Sequence, residues 1–433
     1  MNAGRAQSAT PRARRRWARI AIVLCAVPVA LALLLWLVLW LAFPPERIVP
    51  LVLARVGTSM GLEISAEGDA ASRFGARPTF VVRHLVAREP GAARPLLRAR
   101  RVLVALPWRT IRALGDPLEL VRVELDGAVL DLPALQHWLS TRPPGDGRLP
   151  LIRDGLQVTG GRVDGDGWRV DALRLALPRL DPGRPLQAQV SGRYVDAARR
   201  APFALAASLV RPASGHGFAL AGPVAPQGDG WQVPAWILLS GALHWEDGLR
   251  LLPARFGARG RLLAGDTVAP FSLGLHGPLR LHADAWTLVP AGIALRGDGL
   301  VPTLDARGRI AYGRRLLFEV DGRIATWPSA WPTLPPPLGA SRAPLALSLA
   351  YRGAPDLSAP LSLQATRDDL RFDGRLDVPA LIDWATAPTR DSPLPPLQGR
   401  LQAARIDISG AELEGVVLEF EDDPAPAATA PAP

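Results

Sequence analysis

The chain has 433 residues, 48% of them hydrophobic, with 41 glycines, 44 prolines and one cysteine. A single cysteine excludes an internal disulfide and a cysteine-built metal centre. The net charge of +10 is no nucleic-acid footprint, because Arg5, Arg12, Arg14, Arg15, Arg16 and Arg19 precede the first acidic residue and leave only +4 for everything after them.

Residues 1–19 form a basic tail, and residues 20–43 follow as 24 uncharged residues of Ala, Val, Leu, Ile, Trp and Phe, interrupted only by Cys25 and Pro28. A helix of that length is about 36 Å long, enough to cross a bilayer with some tilt. Trp17, Trp36 and Trp40 stand toward its two ends, as interfacial aromatics do. The arginines on one side place the tail in the cytoplasm and the rest of the chain outside. A cleavable signal peptide would carry an apolar core of about 7–15 residues and a small-x-small cleavage site. The longer segment here, ending Leu-Ala-Phe-Pro-Pro, predicts an uncleaved anchor.

Residues 44–61 place Ile48, Leu51, Val52 and Val56 at helical spacing and predict a short amphipathic helix at the membrane. From Leu62 the period changes to two. Val102, Val104 and Leu106 alternate with Leu103 and Ala105; Leu361, Leu363 and Ala365 alternate with Ser362 and Gln364; Val416, Leu418 and Phe420 alternate with Val417 and Glu419. These are half-buried strands. Asp-Gly pairs at Asp126, Asp154, Asp164, Asp166, Asp229, Asp247, Asp298, Asp321 and Asp373 suit hairpin turns, and the spacing predicts a long antiparallel meander. Hairpins are expected at Asp126-Gly127 and Asp321-Gly322, and short helical pieces over Ala134–Ser140 and Val378–Ala385. The expected organisation is a β domain over 62–326, a Pro-rich connector over 327–343, a C-terminal β portion over 344–423 and a low-complexity tail over 424–433.

Catalytic chemistry finds little purchase. The six histidines lack helical metal-ligand spacing. Asp164-Gly-Asp166-Gly opens like a calcium loop, but Trp168, Arg169 and Leu175 stand where ligands and the turn glycine belong. No nucleophile elbow, Walker A or dinucleotide turn is found. An enzyme would need convergent carboxylates, with Glu63, Glu67, Asp69 and Glu246 the residues to check. No metal, cofactor or catalytic residue is expected. A long sheet with one apolar face must instead bury it in a filled sandwich or curl it into a trough suited to acyl chains. Periodicity alone favours the sandwich.

Three regions shift that weighting. They are RIVPLVLARVGTSMGLEISAEGD after the anchor, PLLRARRVLVALPWRTI with LELVRVELDGAVLDLP, and PLPPLQGRLQAARIDISGAELEGVVLEFED near the C-terminus. In them the chain resembles the AsmA family of envelope proteins. That resemblance implies a β-rich periplasmic domain held in the inner membrane of a double-membrane bacterium. It also implies a hydrophobic groove for glycerophospholipids and a part in lipid transport or outer-membrane biogenesis. The expected fold is mainly β: one N-terminal transmembrane helix, then an elongated antiparallel sheet curled into a groove or open sandwich, with a few short helices. The expected partners are phospholipids, the inner membrane and envelope proteins, with no nucleic acid. Leu62, Ile64, Val102, Val104, Leu106, Val416, Leu418 and Phe420 are the candidate groove lining. The alternative is a non-catalytic scaffold or assembly subunit of envelope or secretion machinery, similar in plan to the N component of type II secretion.

Overall fold

A computed structural model describes residues 57, 61–66, 71–73, 77–112, 119–141, 151–245, 248–282, 285–331, 341–380, 397–408 and 411–420. The expected cytoplasmic tail, membrane helix and C-terminal tail lie outside the described residues, as does nearly all of the juxtamembrane segment. No helix among the described residues is long and apolar enough to cross a membrane.

The chain is mainly β. Twenty-four strands form one sheet, and two short ones, Glu119–Leu120 and Leu151–Ile152, pair in parallel beside it. Sequence neighbours are sheet neighbours almost throughout. The first pieces, Glu63–Ala66 and Ala71–Arg73, share one edge of Thr79–Arg88, which pairs with Leu97–Ala105. Arg122–Asp126 and Val129–Asp131 then pair antiparallel with Leu97–Ala105 and parallel with Leu156–Asp164. Between those two, the helix Leu132–Ser140 returns the chain. Asp131 caps it, accepting the Ala134 N–H at 2.9 Å, and proline occupies its first turn, where no N–H is missed. From Trp168–Leu177 onward the sheet is an antiparallel meander to Ala411–Phe420.

Four strands are interrupted in two pieces each: Glu63–Arg73, Arg122–Asp131, His216–Gly228 and Trp231–His244. Counting each once, the 24 strands occupy twenty consecutive positions, an unrolled length of about 90 Å. Among the described residues no pairing joins the last strand to the first.

Three of the Asp-Gly pairs expected in hairpin turns are corrected. Asp126-Gly127 kinks a strand that continues in the same direction along Leu97–Ala105. Asp321-Gly322 lies inside the unbroken strand Leu316–Ile324, and Asp373-Gly374 inside Leu370–Leu376. The glycines serve packing there. A Cβ on Gly374 would meet Phe372 Cζ at 2.5 Å, so the missing side chain makes room for the ring. At Asp229-Gly230 and around Asp164 and Asp166 the pairs do stand in turns between neighbouring strands. The connector at 327–343 does not divide the sheet, because Leu316–Ile324 pairs with Leu345–Gly353 along its full length. Trp327 and Trp331, at its start, pack edge to face with ring centroids 4.8 Å apart, against the C-terminal core. At Val378 a helical turn does begin, with the Ala380 N–H donating to Asp377.

Four successive strand pairs slip register in a row, between Ser240 and Ala242, Leu251 and Ala254, His276 and Leu279, and Leu288 and Ala291. Pro253, Pro278 and Pro290 stand at three of these bulges, where a ladder donor is not needed. Aligned bulges bend a sheet along a line. Leu251, Ala254, Leu288 and Ala291 are buried at that line.

Candidate functional site

The register aligns apolar side chains on one face from end to end. In the first third, Val82, Val102, Leu125, Val158, Leu175, Val190 and Leu205 stand opposite one another in succession. A second row starts two residues away on the same strand face. It runs Ala188, Ala207, Leu220, Leu239, Phe256, Leu275 and Ile293, then Ala306, Gly322, Leu347, Ala365, Phe372, Leu401 and Leu418. Directly opposed side chains on paired strands touch, so the rows form one continuous apolar surface.

Cover is unequal along it. At the N-terminal end Val82, Leu85, Ala87, Ala99, Val102 and Ala128 make a buried cluster; at the C-terminal end Ile324, Leu345, Leu347, Ala365, Leu370, Leu401 and Ala403 make another. A small cluster of Leu288, Ala291 and Ile310 lies at the bulge line. Between Leu177 and Leu251 the only buried residue among those described is Gly222. From Leu125 to Gly322 every member of the two rows is half-buried. The strand Arg200–Leu209 shows this directly: Ala201, Phe203, Leu205, Ala207 and Leu209 are half-buried, and the residues between them are exposed. That stretch covers about 50 Å along the sheet.

Aromatic pairs stand on this face. Trp168 stacks on Tyr194 at 5.7 Å and Trp286 on Tyr312 at 6.0 Å. Burial pushes the Tyr194 hydroxyl above its ordinary value, with the charge of Asp196 and its hydrogen bond adding to the shift.

The candidate lining residues reach this face or its margin, mainly at the two ends. Leu62 is buried just before the first strand, its N–H donating to the Gly57 carbonyl at 2.8 Å. Ile64 and Val104 pack on the N-terminal cluster, and Val102 is part of it. Leu106 is half-buried beyond its strand, its N–H donating to Pro78 O at 3.0 Å. Val416 packs on the C-terminal cluster; Leu418 stands opposite Leu401. The side chain of Phe420 lies outside the described residues. The uncovered middle, with Leu205, Leu220, Leu239 and Phe256, was not among the candidates. Its signal was present in PFALAASL and AWILLSGAL, where alternation coincides with a lack of acidic residues.

The opposite face divides in the same way. At the ends it carries arginine–carboxylate ladders. Arg101 pairs with Asp126 at 2.9 Å, Arg122 with Glu124 at 2.6 Å, and Glu319 joins Arg309 and Arg352 from the flanking strands. These contacts hold the Asp126 and Glu319 carboxyls below their ordinary values. For Asp126 the Thr159 hydroxyl donates first and Arg101 second; for Glu319, Arg309 and then Arg352. The strands between Arg200 and Gly297 contain no Asp or Glu at all.

Among the described residues no group of three His, Cys, Asp or Glu side chains could hold a metal. Glu63 is exposed on the first strand, while Glu67, Asp69 and Glu246 lie outside the described residues. The described residues are dominated by one long, mostly antiparallel sheet with a continuous, partly uncovered apolar face. No protein-family model, no curated protein and no solved structure matches the chain.

Proposed function

We propose that the chain is a non-catalytic, inner-membrane-anchored periplasmic protein of the AsmA type, and that its apolar sheet face shields phospholipid acyl chains in lipid transport or outer-membrane biogenesis. The observation that carries this reading is the continuous apolar surface whose middle is left half-exposed over about 50 Å. Water contact over that area is unfavourable, and each acyl methylene laid on it gains about 0.8 kcal/mol. One feature supports a curled trough: the aligned bulges bend the sheet along a line. Lipid moving along such a face needs no nucleotide.

The test is native mass spectrometry of the full chain, purified gently, to identify bound lipid. Stoichiometric phospholipid is expected, lost on Leu205→Asp or Leu239→Asp while the circular dichroism spectrum stays that of the folded sheet. A folded chain free of lipid would overturn the reading and favour the scaffold.

A further inference from the structure

The outer face of the middle strands is unlike the outer face elsewhere. Trp236 and Leu238 point away from the apolar rows and are 60% and 47% exposed; Val268, two strands on, is 61% exposed. Arg255, Arg259 and Arg261 lie on the same outer face of one strand, Leu249–Ala264, and Arg259 stands directly opposite Trp236. All three are exposed and none forms an ion pair with a described residue. Beside them a shallow hollow of about 740 Å³ is lined by Pro202, Pro223, Pro270 and Trp236 together with Arg259 and Arg261.

We propose that this patch docks onto an anionic lipid bilayer surface, an interaction separate from the uptake of acyl chains on the inner face. Charge complementarity carries the choice. Elsewhere on this face carboxylates stand among the arginines and several join them in ion pairs, whereas the strands from Arg200 to Gly297 contain no carboxylate of their own. An exposed tryptophan with aliphatic neighbours and a row of arginines is the side-chain set that settles at the headgroup level. The apolar groups protrude from strand positions and the hollow beside them is shallow, which suits insertion into an interface better than the grip on a folded partner. The arginines span about 20 Å of one strand, so the sheet would lie along the membrane there.

Cys25 is the only cysteine, so Cys25→Ser with Val268→Cys gives the full chain one label on the patch. The labelled chain is reconstituted in vesicles of phosphatidylcholine alone, or of phosphatidylcholine and phosphatidylglycerol in equal parts, each with a nitroxide on the acyl chain. Quenching of the label is expected in the anionic vesicles and not in the neutral ones, and it should fade as salt is raised. Each arginine among the three changed to Gln should weaken the docking roughly fivefold. Equal quenching in both vesicle types, or none in either, overturns the proposal. So does a difference that survives the triple Arg→Gln change. A label at Leu239→Cys on the inner face reports lipid uptake separately, so loss of one signal is not loss of the other.

Discussion

The C-terminal third and the middle of the sheet use the same strand pattern to different ends. In Leu345–Gly353 and Leu397–Ile408 the inward residues Leu345, Leu347, Tyr351, Leu401 and Ala403 are buried, and the outward residues of the strands around them join in ion pairs. In Arg200–Leu209 and Ala235–His244 the inward residues are half-exposed and the outward ones include a proline, alanines, leucine and tryptophan. The ends are therefore core, held by packing, except at the last strand, where Leu418 is 40% exposed. The middle is held by its backbone ladder and by its neighbours along the strand direction. A region that stays ordered with its apolar face uncovered is one whose burial is left for something else to complete.

The largest effect that would sharpen this contrast is in the C-terminal core. Tyr351 is fully buried, and its hydroxyl donates to Ala354 O at 2.6 Å. Tyr351→Ala should cost about 3–5 kcal/mol in urea unfolding. Leu220→Ala in the middle removes a half-exposed side chain and should cost about 1 kcal/mol. Equal costs at the two positions would break the distinction between filled ends and uncovered middle. Asp131→Ala removes the cap of the helix Leu132–Ser140 and should cost about 1 kcal/mol, with the loss of protection confined to that helix in hydrogen exchange.

The smallest effect concerns pH. Arg309 and Arg352 hold the Glu319 carboxyl below its ordinary value. A lowered folded value means that the carboxylate stabilises the sheet above the ordinary glutamate range. That contribution is lost as pH falls from the ordinary value through the lowered folded one. The Glu319→Gln chain should lack this part of the acid destabilisation, seen as a flatter stability profile across that window. The group is exposed, so the change should be slight. The same scan on the middle strands should show no such feature, because the strands from Arg200 to Gly297 contain no carboxylate to protonate.

Much of the fold was legible in the alternation. Apolar residues at every second position specify strands with two unlike faces, and the near-regular spacing specifies a meander. The short helical piece expected over Ala134–Ser140 forms, as the helix Leu132–Ser140. The misreadings share a cause. Asp321-Gly322 and Asp373-Gly374 have turn chemistry locally, but the facing strands supply pairing partners on both sides and the glycines sit where a neighbouring ring or methyl needs space. Local propensity yields to the ladder.

The candidate site was half legible for a related reason. Val102 and Leu418 were identifiable as members of an apolar face, because the period of two assigns each residue to one side of its strand. Which strands are packed and which are left uncovered is not a property of any one strand. It depends on register across twenty positions and on where bulges bend the sheet. By itself the sequence determined that this is a β protein with two-faced strands and a single cysteine. Only the tertiary structure decided that those faces join into one surface, that its ends are filled and its middle is not. Side-chain alternation is local, whereas burial is set by what strands far apart in the chain bring against one another.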